Sequence, residues 1–374
     1  MGVKQTIQIN TERLQYLLDL FNIDESRLKS IIEQKLKKPI NLSMPLNKGT
    51  LEEIDRIFNR GLDFYTNPSP INKKNSSILF RKENFAKDLD IGDVQFITKC
   101  EEQMNYISGL AKLGNFTFTQ KKLPNFSLQD LPKEVAEKMQ FLLPTKKPSD
   151  KQFLESFIKN LAEYNILVLE NAESHNKKYK SNLCGFFIKP NIIALKNLGR
   201  KREIFTLAHE LGHYLLNNEN IDKDIFMQNP QDEESWCSQF AFYLLIGEQL
   251  SALESLSKNE ITTNSKEIQT ISNQKHISRL ALFFHYASNR KISWADYNLL
   301  KDELEKEYVD KKQAQRDKQG KNGGFPKQPT PILSPLQKDI FVNAFLEGIV
   351  DEYTIRMHFK KYIKNDDLEG FVYG

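Results

Sequence analysis

The chain has 374 residues, of which 39% are hydrophobic, with 25 Phe and 13 Tyr. That much apolar material excludes a disordered protein, and the length predicts more than one module. The net charge of +4 is small beside 53 basic and 49 acidic residues, which excludes a general electrostatic argument for nucleic-acid or membrane binding.

Cys100, Cys184 and Cys237 lie far apart with no CxxC pair. The pattern excludes a disulfide framework and suits a reducing compartment. The first residues lack the apolar stretch of a secretory signal. They do match the short Met-Gly-x-x-x-Thr myristoylation pattern, which on its own carries little weight. No segment approaches the ~18 apolar residues that a membrane-spanning helix needs. A soluble, cytoplasmic protein is expected.

Residues 9–65 read as short helices. Leu14, Leu17, Leu18 and Phe21 recur at helical spacing, Asn22 to Ser26 offer a capped turn, and Arg27 to Leu36 form a second amphipathic stretch. Thr50-Leu51-Glu52-Glu53 reads as a capping box before Ile54, Ile57 and Phe58. This helix–turn–helix rhythm occurs in DNA-binding modules and in plain packing modules alike. Ten Lys and Arg against eight Asp and Glu over residues 1–60 make a weak footprint for DNA.

Pro68 and Pro70 mark the next boundary, and residues 82–160 read as mostly helical with breaks at Pro132, Pro144 and Pro148. Three apolar runs follow: Ile166 to Leu169, Cys184 to Ile188, and Ile192 to Leu195. Pro190-Asn191 makes the last two a hairpin. A long helix from about Arg202 to Leu216 comes next. Beyond a polar segment, Ile277 to Tyr286 and Trp294 to Tyr308 read as helices, Lys311 to Lys327 as a linker or flexible loop, and Leu336 to Ile363 as a last helical piece.

The long helix carries His209-Glu210-Leu211-Gly212-His213. Residues i and i+4 share a helix face, so both imidazoles reach one ion. Glu210 lies about 100° round the helix, where it can take a proton from the attacking water. Gly212 costs about 1 kcal/mol of helix propensity, which makes sense where another backbone approaches closely. HExxH is short and occurs by chance. Here Phe205, Leu207, Ala208, Leu211, Leu215 and Leu216 bury the helix, and buried His and Glu are costly unless a partner satisfies them.

A catalytic zinc needs a third protein ligand and one open position. Asp232, Glu233 and Glu234 open the next helical segment. Glu234 shares its face with Cys237, Ser238, Ala241 and Leu245, small or apolar groups that permit close packing, so it is the expected ligand. Glu233, on the face of Trp236, Phe240 and Tyr243, is the fallback, with the helix dipole as its other role. His175, Tyr179, His276 and His285 could act on an oxyanion or on a ligand, although none sits in a motif. Cys237 is expected to be a small buried residue.

Phe205 to His213, followed by Glu234 to Ala241 and Leu244-Leu245, resembles the ImmA/IrrE family of metallopeptidases. The family places a Glu six residues before a Phe-Ala pair, which also selects Glu234. Ser238 stands where the family usually has Asn, and Gly247 where it usually has Pro. Residues 9–83, with Phe80-Arg81, resemble the degenerate helix–turn–helix segment that often precedes this domain, and Ser334 to Phe371 resembles its helical tail.

The resemblance implies an α+β, mostly helical protein. Its small zincin-like core would span residues 151–260, flanked by a helix–turn–helix-like module (1–83), a helical connector (84–150) and a helical C-terminal region (261–374, with a flexible loop about 309–333). It implies Zn²⁺, with Mn²⁺ as the other metal, held by His209, His213 and Glu234, and Glu210 as base. The implied substrate is a protein, a helix–turn–helix repressor or antitoxin-like partner. The strand Ile192 to Leu195 is expected to pair with extended substrate. The rival reading is a DNA- or partner-binding regulator, or toxin component, whose metal site is structural or inactive.

Overall fold

The computed structural model describes all residues except 1–5, 72–76, 78, 80–88, 146–148, 174–176, 220, 223–231 and 321–329. Phe80-Arg81 and His175 lie outside the described residues. The chain divides into two compact units, Met1–Asn105 with His175–Asn182, and Tyr106–Ser174 with Leu183–Gly374.

In the first unit β1 (Thr6–Ile7) precedes α1 (Thr11–Leu20) and α2 (Glu25–Leu36). Strand β2 (Leu46–Asn47), antiparallel to β1, leads into α3 (Lys48–Phe58) and α4 (Leu62–Thr66). Side chains cap the helices: Asn10 accepts from the Glu12 amide and Asp24 from the Arg27 amide. The expected capping box at Thr50 is displaced. Asn47 is the N-cap of α3 and accepts from the Thr50 amide at 3.0 Å; an Asn side chain one turn earlier extends the helix by one turn. Leu17, Leu28, Leu51, Ile54 and Phe58 fill the core. Helix α5 (Ile91–Leu113) begins in this unit. There Asp93 accepts from the Ser181 hydroxyl and the Asn182 amide. A Cβ on Gly92 would fall 2.2 Å from the Lys180 carbonyl oxygen, so that approach requires glycine.

The second unit holds α6 (Pro132–Met139), α7 (Asp150–Ala162) and a mixed sheet. Residues 114–130, expected among helices, are irregular. Gly114 and a left-handed Asn115 (φ 48°) stop α5, and Pro132 starts α6 rather than ending a helix. The sheet contains β3 (Leu167–Asn171), β4 (Gly185–Ile188), β5 (Ile192–Lys196) and β6 (Ile221–Asp222), in the order β3-β5-β4-β6. Every residue of β3, β4 and β5 is buried, which explains their short unbroken apolar runs.

The hairpin forms as expected, with Phe187 opposite Ile193. One expectation fails. Strand β5 is interior, paired in parallel with β3 and antiparallel with β4, so both its backbone edges are already used and it has none to offer a substrate.

Helix α8 (Arg200–Leu215) follows β5 directly, and α9 (Asp232–Ile246) packs along it. Around them lie α10 (Leu250–Ser255), α11 (Lys258–Thr262), α12 (Lys266–Gln274) and α13 (Arg279–Ser288). Helix α14 (Trp294–Gly320) runs well into the stretch expected as a linker. Its residues there are mostly the helix formers Lys, Gln, Ala and Arg, and Gln313 donates to Asp317 one turn on. The chain ends in α15 (Pro335–Leu346), α16 (Glu352–Phe359) and α17 (Leu368–Tyr373). The protein is mostly helical with one small mixed sheet in its second unit, an α+β arrangement. Among the described residues, no helix is long and apolar enough to cross a membrane.

Candidate metal centre

Both ends of α8 are tied down. At its start Glu203 accepts from the Leu198 and Gly199 amides at 2.8 and 2.7 Å and from Arg200 at 2.6 Å. Arg200 also reaches Glu170 of β3 at 2.8 Å, joining helix to sheet. Burial of Glu170, with Glu203 nearby, pushes its pKa above the usual carboxylate range; the Ile332 amide and Arg200 oppose that rise. At the far end Asn217 is left-handed (φ 50°), and the amides of Asn217 and Asn218 bond back to Tyr214 and His213. This double closure stops the helix just past the second histidine.

Within α8, His209 and His213 are completely buried and Glu210 is 1% exposed. A Cβ on Gly212 would lie 3.1 Å from Cys237 Sγ and 3.2 Å from Cys237 Cα. Glycine at 212 therefore lets α9 approach to backbone contact, as the sequence suggested. Burial pushes the Cys237 thiol up to about 12, so it stays protonated and acts as packing.

That approach brings three donors together. His209 Nε2 and His213 Nε2 are 3.2 Å apart, and the Glu234 carboxylate oxygens lie 3.3 Å from the first and 3.4 Å from the second. Among the described residues these are the three His, Cys or acidic side chains grouped closely enough to hold one ion. Ligands about 2.0–2.1 Å from a tetrahedral ion stand about 3.4 Å apart, so the donor set fits a divalent metal.

The outer nitrogens are held too. His213 Nδ1 lies 3.0 Å from Glu233 Oε1, and Asn218 donates to the other Glu233 oxygen. His209 Nδ1 lies 3.3 Å from the Ser238 hydroxyl. With its Nδ1 proton given to Glu233, His213 presents an Nε2 lone pair to the cluster.

The structure thus groups the three expected donors, His209, His213 and Glu234, with Glu210 buried next to His209 in the chain. Glu233, expected as an alternative to Glu234, instead serves the same histidine from the opposite side. Asn218 and the role of Ser238 were not foreseen. The one signal for Glu233 is the acidic pair at the start of α9, since adjacent residues there can straddle one imidazole. Of the other candidates, His276 pairs with Asp150 at 2.7 Å and lies on Phe153. His285 lies flat on Phe242. Tyr179 falls in the segment grouped with the first unit.

A buried HExxH helix packed against a helix that carries a glutamate is an arrangement that metallopeptidases use. Residues 161–272 match the family model Peptidase_M78, the IrrE N-terminal-like domain, consistent with a protein of the ImmA/IrrE family. Searches of curated proteins and of solved structures gave no match.

Proposed function

We propose that this protein is a zinc-dependent endopeptidase with a zincin-like core, in which His209, His213 and Glu234 hold the metal and Glu210 is the general base. The observation that carries the reading is the spacing of the three donors, 3.2 to 3.4 Å apart, beside the buried Glu210. Two imidazoles and a carboxylate suit zinc, with manganese as the other ion. When bound, the ion supplies Lewis acidity, polarising the scissile carbonyl and making water more acidic.

The chain's own groups do the rest. Glu210 accepts the proton of the attacking water and returns it to the departing amine. Glu233 and Ser238 hold the two imidazoles in register, so the donors need not reorganise when substrate arrives. Three protein donors leave one position open, whereas a structural zinc uses four. This argues for a catalytic site over a structural one.

The substrate we propose is a protein, a cytoplasmic helix–turn–helix repressor or an antitoxin-like partner; that target comes from the family resemblance alone. Incubation of candidate partners with the zinc-loaded protein and with Glu210→Gln tests the reading. Cleavage by the first and none by the second, at equal zinc content, is the expected result. Cleavage by both removes Glu210 as base.

A further inference from the structure

A cavity of about 360 Å³ opens against Ser238, which stands behind His209; His209, Glu210, His213 and Glu234 do not themselves line it. Two of its lining residues belong to the site's own framework. Ser238 contacts His209, and Phe205 lies one helical turn before His209 on the same face of α8. Phe242, Phe284 and Trp294 add aromatic wall, the last two meeting edge to face with centroids 5.8 Å apart. His285 stacks on Phe242 at 3.6 Å and 7°. Its burial, with Lys291 nearby, pulls its pKa down to about 4, so at neutral pH it presents an uncharged ring.

The mouth is different in character. Arg290 lines the cavity from an exposed position just past α13. Its guanidinium makes no ion pair among the described residues. Ser235, Gln239, Ser288 and Asn289 share the wall with the rings, so the lining is mixed; by volume alone, since about 150 Å³ takes a benzene ring, the cavity has room for a Phe or Leu side chain together with its backbone.

We propose that this cavity is the specificity pocket of the site: it takes the large apolar side chain of a residue next to the scissile bond, and Arg290 selects an acidic residue immediately after it. The proposal rests on the peptidase reading and names its substrate class. Aromatic walls supply affinity without direction, and the unpaired cation at the rim supplies the register.

The test uses the full chain, zinc-loaded and carrying Glu210→Gln, titrated with acetylated, amidated pentapeptides of sequence Ala-Ala-Xaa-Asp-Ala. Binding is followed by tryptophan emission, since Trp294 lines the pocket. Peptides with Xaa as Phe or Leu are expected to bind at least about tenfold more tightly than Ala, and Lys more weakly still. The emission change should vanish in Trp294→Phe. Replacing the peptide Asp by Lys should weaken binding several-fold, and Arg290→Glu should reverse that preference; circular dichroism checks its fold. Equal binding of Phe and Ala peptides, or an emission change that survives Trp294→Phe, overturns the pocket.

Cleavage of the same peptides by the parent chain separates the two readings. Selective binding without hydrolysis under any metal supports the pocket and counts against the peptidase. Hydrolysis with no preference at Xaa supports the peptidase and overturns the pocket.

Discussion

Glu233 and Glu234, adjacent at the start of α9, grip the same imidazole from opposite sides. Glu233 accepts from His213 Nδ1 at 3.0 Å, while Glu234 lies 3.4 Å from His213 Nε2. In the proposed site one acid would be a metal donor, while the other holds the ring that would carry a second donor. Asn218, set in place by the closure at the end of α8, holds Glu233 in turn.

Glu233→Gln is therefore expected to keep the metal site but weaken it about 10- to 100-fold, the usual effect of losing a carboxylate behind a metal-bound His. Glu234→Gln should cost considerably more. Competition titration with a zinc-sensitive chelating dye measures both. Equal losses in the two variants would erase the distinction between donor and support.

Gly212→Ala sets two effects against each other. Alanine gains about 1 kcal/mol of helix propensity, while its Cβ enters tight contact at 3.1 to 3.2 Å with Cys237, and overpacking of this kind costs about 1–3 kcal/mol. The overlap lies on backbone and Cβ atoms that move only with α9, so overpacking wins. Chemical denaturation of the metal-free variant should show a net loss of about 1 kcal/mol. Its zinc affinity should fall as well, because moving α9 away carries Glu234 from the two histidines. A more stable variant with unchanged affinity would refute the close-approach argument.

Metal removal should be visible in stability. A metal that binds only the folded chain at 100 times its Kd adds about 2.7 kcal/mol, so a strong chelator should lower the thermal midpoint of the parent protein. His213→Ala, without a complete site, should melt at the same temperature with and without chelator. Differential scanning fluorimetry provides the check.

His285 gives a pH dependence of known sign. Its folded pKa of about 4 lies below the ordinary 6.5, so the unfolded chain takes up the proton first as pH falls. The stability that the neutral, buried ring contributes is complete above pH 6.5, declines below it, and is lost by about pH 4, a change of at most about 3 kcal/mol. His285→Phe should flatten that part of the curve in urea titrations between pH 7 and 4.5. An unchanged slope would show that other groups carry it.

Ser238 occupies the position where the resembling family usually has Asn. Its hydroxyl lies 3.3 Å from His209 Nδ1, which is a role either side chain can fill. Ser238→Asn should retain zinc affinity within a few-fold and Ser238→Ala should lose about tenfold, the low end for this kind of support. The same dye competition reads both, and an unaffected Ala variant would remove Ser238 from the site.

What the sequence determined by itself is local. The i and i+4 spacing of His209 and His213, the helix that buries them, the three apolar strands and their hairpin follow from periodicity and turn residues within a few positions of one another. The demand for a close neighbour at Gly212 was also legible, because glycine in a helix interior has a cost that needs a reason. Local signals misled where a side chain one turn away decided the outcome, as Asn47 did for α3, or where charge was taken for looseness, as in α14.

Only the tertiary structure decided what lies across the helix pair. Order along the chain set β5 beside β4, but the return of β3 on its other side made it an interior strand. Which of two adjacent acids faces which nitrogen depends on the reach of side chains twenty residues apart, across helices pressed to backbone contact. The cavity against Ser238 joins α8, α9, α13 and the start of α14, so no stretch of sequence contains it.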